Sequence, residues 1–149
     1  SLDKLIATNR ANRTAYRRAI EGLPGLALYE FDEQEANNFQ YLIVEIDQQT
    51  CPFTRDELVA ILQAENVIAR RYFSPGCHLS MPYRTRPRRG NDRLTVTERL
   101  CESLVALPTG ASVTVADIHE VGTILRDAYD NAAEVRYALR KERTTRSAA

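Results

Sequence analysis

The chain is poor in the residues on which much enzyme chemistry depends. Of its 20 basic residues only Lys4 and Lys141 are lysines; it contains 2 histidines and no tryptophan. A reaction that forms a Schiff base on a lysine therefore has just two candidate residues in this sequence. General acid–base catalysis by histidine is restricted in the same way, to His78 and His119.

The sequence also has few cysteines, no excess of one charge and no long apolar run, and each of these features excludes a class of protein. The 3 cysteines are widely spaced without a C-x-x-C motif, which excludes a disulfide framework and a zinc site of the usual spacing. The 20 acidic residues balance the 20 basic ones, which disfavours a nucleic-acid binder. No apolar run reaches the roughly 20 residues of a membrane-spanning helix, and no signal peptide is visible. We therefore expect a cytoplasmic protein with reduced thiols and with neither nucleic acid nor membrane as a partner.

The local patterns of the 149 residues predict one domain of mixed structure. Apolar spacing predicts a helix over 2–21, and helix starts are indicated at Thr54, Thr95 and Thr114, the first two as Thr-x-x-Glu capping boxes. Strands are predicted at 26–31, 39–46, 67–73 and 104–107. This order predicts an α+β domain with a small antiparallel or mixed sheet of three to four strands covered by helices.

Side chains of chemical interest gather in the irregular segment 74–93. It holds Cys77 and His78, and five arginines lie between Arg84 and Arg93. Loops on a rigid scaffold often carry binding groups, so His78 either binds a ligand or braces its own loop, and the arginines either clamp phosphate or form a solvated loop. Cys77 has no marked acid partner and His119 lies off the apolar stripe of its helix. No dinucleotide fingerprint, P-loop or metal-ligand spacing is present.

Six short runs resemble, in the same order, the C-terminal domain of one enzyme family. The run from Ile68 to Pro75 (IARRYFSP), followed by His78 and by Pro82-Tyr83-Arg84, carries most of the resemblance. The other runs are Asn9-Arg10 with Tyr16, NFQY from Asn38, TRDEL from Thr54, VTERL from Val96 and LVALP from Leu104. The family is that of the DegT/DnrJ/EryC1/StrS aminotransferases, which use pyridoxal phosphate and act on sugars, and the resemblance extends over about residues 1–130.

The resemblance implies a division of the chain. Residues 1–22 would be the helix that leaves a large domain absent from this sequence, residues 23–131 the small domain of a fold-type I aminotransferase, and residues 132–149 a helical extension with a frayed tail. The lack of a clear N-cap at Ser1 adds to the expectation that the chain is part of a longer enzyme.

The resemblance also implies a function. The complete enzyme would transfer an amino group from glutamate or glutamine to a nucleotide-linked keto sugar, with pyridoxal phosphate held by the large domain. Neither Lys4 nor Lys141 has the strand-and-loop setting of the family's Schiff-base lysine. This chain alone is therefore expected to bind no cofactor or metal, to contain no catalytic residue and to be inactive.

Four side chains would contact the substrate by the same resemblance. His78 and Tyr83 would face the sugar, with Tyr72 and Arg70 near the rim of the site. A homodimer is also expected.

Without the large domain, an apolar patch should drive self-association; its side chains would be Leu2, Leu5, Ile6 and Tyr16. Two other functions stay open on the residues alone. One is a non-catalytic binding or interaction module that kept the fold without the cofactor half, and the other is a nucleic-acid binder that uses the arginine segment.

Overall fold

The computed structural model describes residues 1–32, 34–85 and 94–147, which contain both helices and strands. The helices are α1 (Leu2–Ala19), α2 (Arg55–Ala64), α3 (Thr95–Ser103), α4 (Val115–Asp130) and α5 (Ala132–Ser147). The strands are β1 (Leu26–Leu28), β2 (Leu42–Ile46), β3 (Arg70–Arg71) and β4 (Leu104–Leu107), and short 3₁₀ turns occur at Cys77–Leu79 and Tyr83–Thr85. Within these described ranges, no helix is long and apolar enough to cross a membrane.

The four strands form one antiparallel sheet in the order β1-β2-β4-β3. The strand β2 is central, since Val44 pairs with Leu28 of β1 on one side and with Val105 of β4 on the other. At the far edge, β3 pairs with β4 through Arg70 and Arg71. The predicted fold class, α+β with three to four strands, is confirmed.

One face of the sheet carries the hydrophobic core. Successive side chains of a strand point to opposite faces, and Val44 and Val105 lie on the face that α1, α2 and α4 cover. The apolar stripe predicted for α4 is buried against them; it consists of Ile118, Val121, Leu125 and Ala128. The core therefore lies between the sheet and three helices.

The opposite face carries Tyr41, Ile43 and Arg70. Arg70 pairs with Ala106, which pairs in turn with Ile43, so these side chains share a face. Arg70, one of the four residues expected to contact substrate, therefore lies on this face.

Three predicted strands are shorter in the structure because the backbone turns where the apolar pattern does not show it. The strand β2 begins only at Leu42, since the Asn38 side chain accepts a hydrogen bond from the N–H of Gln40 and Phe39 has a left-handed φ of 51°. Left-handed residues also bracket β3, at Asn66 and Phe73 (φ 61° and 48°). Only two residues between them join the sheet.

The helix starts agree with the predictions at two positions and differ at one. Thr54 and Thr114 each form a reciprocal capping box, with Glu57 and Asp117 respectively. The capping box predicted at Thr95 is wrong: the carbonyl of the residue before it, Leu94, already accepts the N–H of Glu98, so Thr95 lies inside the first turn.

Both terminal helices depart from their predictions. The helix α5 continues to Ser147, further than expected for a stretch, 132–149, that was predicted to end in a frayed tail. On α1, Leu2 is exposed as expected for a patch, but Tyr16 is completely buried. Its ring belongs to the core and cannot contribute to self-association.

Candidate functional site

A groove of about 760 Å³ lies where the sheet meets the N-terminal half of α4. Its sheet side is formed by residues of β2, β3 and β4, including Tyr41 and Arg70. Its other walls are the segment 65–68, residues 108–113 and the α4 residues Asp117 and Glu120. The volume falls in the range of small-molecule sites.

The charges around this groove are unevenly distributed. Arg70 is the cation among its described lining residues, on the sheet side, whereas Glu65, Asp117 and Glu120 are carboxylates. The backbone N–H and the hydroxyl of Thr114 donate to Asp117 and lower the pKa of its carboxyl group. Asp117 therefore stays ionised. The groove thus offers a guanidinium to an anionic group at the sheet edge and hydrogen-bond acceptors to hydroxyl groups at α4.

Tyr72 does not line the groove itself, but its ring contacts Tyr41, which does. The two rings meet edge to face, with centroids 5.9 Å apart, and Tyr72 also packs on Phe73 at 4.3 Å. Tyr41 is 56% exposed and lines the groove, so Tyr72 supports a ring that a ligand can contact. Tyr72 was predicted from the sequence and Tyr41 was not, although Tyr41 is part of the NFQY run.

Arg71, next to Arg70, has a different environment. Its Nε lies 3.0 Å from Oδ1 of Asp56, a residue of the first turn of α2. Asp56 also pairs with Arg55, whose guanidinium donates to the carbonyl of Cys101 at 2.7 Å. These contacts tie β3 to α2 and α3, and they leave Arg70 as the arginine of β3 that lines the groove.

His78 lies in a separate cavity of about 510 Å³, between the first 3₁₀ turn and α3. Its side chain is only 10% exposed, and its Nε2 lies 3.9 Å from a carboxylate oxygen of Glu98. A Cβ at Gly76 would lie 2.6 Å from the imidazole Cε1 and 2.8 Å from Sγ of Cys101. The glycine therefore leaves the space that the ring occupies.

Both imidazole nitrogens of His78 lack a hydrogen-bond partner within the described part of the chain. A buried polar atom without a partner is unusual in a folded protein, because most such atoms are hydrogen-bonded. His78 lines this cavity and does not line the groove of Arg70.

Tyr83 lies on the second 3₁₀ turn, which contacts the first, and it is 55% exposed. The four predicted site residues thus fall into two pairs, with His78 and Tyr83 on the 3₁₀ turns and Arg70 and Tyr72 beside the groove. Of the predicted arginine segment, residues 86–93 lie outside the described residues.

The two lysines both lie on the surface of helices. Lys4 lies exposed on α1 and Lys141 lies exposed on α5, and neither lines the groove or the cavity of His78. Among the residues that the structure describes, no group of three or more His, Cys, Asp or Glu side chains could hold a metal ion. Neither lysine thus lies beside the groove or the cavity of His78.

Comparison with known sequences identifies relatives for most of the chain. The profile of the DegT/DnrJ/EryC1/StrS aminotransferase family matches residues 1–126. A dTDP-4-amino-4,6-dideoxy-D-glucose transaminase of Shigella dysenteriae is 33% identical over 60 residues, 40% of this chain and 16% of that protein. The enzyme of the same name from Escherichia coli is 25% identical over 93 residues, 62% of this chain and 25% of that protein.

Solved structures share the fold over nearly the whole chain. The crystal structure of DesI with its TDP-sugar product matches 93% of this chain, with a TM-score of 0.82 and 40% identity, and 34% of the DesI chain is covered. The aminotransferase TlmJ of Streptoalloteichus hindustanus matches 89% of this chain with a TM-score of 0.73; at 19% identity over 34% of its length it supports the fold alone. The chain spans about a third of the length of these solved structures.

Proposed function

Since the chain belongs to the DegT/DnrJ/EryC1/StrS aminotransferase family, we propose that it is the small domain of a pyridoxal-phosphate-dependent enzyme that aminates a nucleotide-linked keto sugar. The observation that carries the proposal is the 40% identity to DesI over 93% of this chain, because that protein was crystallised with a TDP-sugar product. The names of the two curated relatives, both dTDP-sugar transaminases, support the same substrate class. Glutamate or glutamine is the proposed amino donor.

In this proposal a large domain holds the cofactor, and this chain binds the substrate. Pyridoxal phosphate supplies the electron sink for amino transfer. The exposed positions of Lys4 and Lys141 favour a cofactor site on the large domain and support the inactivity of this chain alone. We propose the boundaries given above: a linking helix over 1–22, the small domain over 23–131 and an extension over 132–149. The complete enzyme is proposed to be a cytoplasmic homodimer.

The contribution of this chain is to bind and orient the sugar nucleotide. In this proposal Arg70 pairs with a phosphate, and Asp117 and Glu120 accept hydrogen bonds from hydroxyl groups across the groove. Tyr41, supported by Tyr72, offers a ring face to the ligand. Holding a substrate in line with a cofactor lowers the barrier without any group of this chain entering the chemistry.

His78 and Tyr83, which do not line the groove, are a separate candidate contact for the sugar, and this contact is tested in the complete enzyme. If they hold the sugar, His78→Ala and Tyr83→Phe should slow the half-reaction with the keto sugar by about tenfold or more and leave the half-reaction with the amino donor nearly unchanged. The matched controls are His119→Ala on α4 and Tyr137→Phe on α5, where Tyr137 is 72% exposed.

Two results would count against the proposal. Equal losses in both half-reactions, together with a lower melting temperature, would assign His78 and Tyr83 a structural role. A complete enzyme that aminates no nucleotide-linked keto sugar would contradict the proposed function itself and leave the non-catalytic module as the interpretation.

A further inference from the structure

The inner face of α1 is polar where a helix usually buries apolar side chains. Its buried residues are Asn9, Asn12, Arg13 and Tyr16. Burying an amide or a phenol costs free energy unless it is hydrogen-bonded, so the partners of these groups indicate what the helix holds in place.

Asn12 holds the segment 108–113. It is 2% exposed, and its side-chain nitrogen donates toward three oxygens of this segment: Oγ1 of Thr109 at 3.3 Å and the carbonyls of Gly110 and Val113 at 3.2 and 3.3 Å. These acceptors lie about 100 residues later in the chain, so the contact is tertiary and not part of the helix.

Asn9 and Tyr16, on the same face of α1, form hydrogen bonds to segments on the two sides of the groove. One turn further along α1, the hydroxyl of Tyr16 donates to the carbonyl of Pro108 at 2.9 Å. One turn earlier, the amide of Asn9 donates to the carbonyl of Asn38 at 3.1 Å, two residues before Gln40 and Tyr41 on the sheet side. Segments on the two sides of the groove are thus hydrogen-bonded to the same helix.

We propose that Asn12 is a positioning residue, which fixes residues 108–113 as one wall of the groove so that the groove keeps the width a sugar nucleotide needs. Thr109 and Ser112 line the groove from this wall, and they can bond a ligand only while the wall is held. Only the identity of the ligand in this inference rests on the proposed function. The role of Asn12 in holding the wall rests on the hydrogen bonds alone.

Amide hydrogen exchange on this chain tests the wall without any ligand. The N–H of Val113 donates to the carbonyl of Gly110, and it should exchange about tenfold faster in Asn12→Ala and in Asn12→Asp, which has nearly the same volume but lacks the donor. The N–H of Tyr29, bonded to the carbonyl of Ile43, should not change. The matched control is Thr14→Ala on the exposed side of α1, which should change neither amide.

If substitution of Asn12 prevents folding, Tyr16→Phe provides a second test. Tyr16→Phe keeps the buried ring and removes only the donor to Pro108, so it should also speed exchange over 108–113, by a smaller factor. Exchange that rises equally at Tyr29 and Val113 would overturn the proposal, because Asn12 would then stabilise the whole domain. Unchanged exchange at Val113 would overturn it too.

Kinetics of the complete enzyme test the consequence for substrate. Asn12→Asp should raise KM for the nucleotide-linked sugar by about tenfold, with the half-reaction of the amino donor unchanged. Faster exchange at Val113 with an unchanged KM would overturn the link to the substrate. If the wild-type enzyme turned over no nucleotide-linked sugar, the proposed function would fail, and the exchange result alone would decide whether Asn12 holds the wall.

Discussion

Gly122 is the position at which a single methyl group should disturb the packing of α1 on α4. A Cβ at Gly122 would lie 2.9 Å from the Cβ of Ala19 and 3.2 Å from its carbonyl oxygen. Unstrained carbon–carbon contacts are about 3.5–4.0 Å, so the two helices would have to separate by up to about 1 Å. They cannot do so freely, because Arg126 of α4 donates to the same carbonyl of Ala19 at 3.0 Å.

Two effects of opposite sign decide the stability of Gly122→Ala. Replacing glycine by alanine inside a helix contributes about 1 kcal/mol of stabilisation through helix propensity. Overpacking a tight interface costs about 1–3 kcal/mol. Because the contact involves backbone atoms as well as a side chain, we expect the cost to prevail and the free energy of unfolding to fall by about 1 kcal/mol. For a domain of this size, that is a drop of about 3 °C in melting temperature.

Urea denaturation followed by circular dichroism measures this difference. The control Thr123→Ala, at the next and exposed residue of α4, should not destabilise the chain. The double variant Ala19→Gly with Gly122→Ala removes the nearest clash and should be more stable than the sum of the two single changes predicts. If Gly122→Ala unfolds at a higher urea concentration than the wild type, the argument from close approach is refuted.

Three further predictions concern the cofactor, alkaline pH and association. Pyridoxal phosphate added to this chain should give no Schiff-base absorbance; a band that disappears on Lys4→Ala or Lys141→Ala would contradict this. Burial, and secondarily the charge of Asp117, raises the pKa of Tyr16 above its ordinary value, so above pH about 10 the unfolded chain loses a proton that the folded chain retains. Stability should therefore fall by about 1 kcal/mol per pH unit as the pH rises above 10, and titration of Tyr16→Phe should show a shallower decline. Finally, replacing the exposed Leu2 and Leu5 by serine should reduce self-association in sedimentation, an expectation that a strictly monomeric wild type at high concentration would disprove.

The sequence predicted those parts of the fold that depend on neighbouring residues. The capping box at Thr54, the helix start at Thr114 and the buried stripe of α4 follow from spacings of three and four residues, and the structure confirms them. The strand β4 was predicted with its observed ends, because it is an apolar run between a helix and Pro108. In each case the cause lies within one element.

Features that depend on distant residues were missed. Tyr16 was expected in a patch left exposed by the absence of the large domain, yet its hydroxyl has a partner 92 residues away that allows it to be buried. The groove could not be predicted either. Tyr41, Arg70 and Asp117 come together only because β4 lies between β2 and β3, and no local pattern gives that order.

The order of strands also has a consequence during synthesis. Val44 of β2 pairs with Val105 of β4, which leaves the ribosome about sixty residues later, after about 3–12 s at common rates of translation. During this time β1 is the partner available to β2 in the sheet, and one edge of the apolar run Leu42–Ile46 has unpaired backbone groups. An unpaired apolar strand edge can pair with another chain, so the nascent protein is most vulnerable to aggregation in this interval, which ends when β4 joins the sheet.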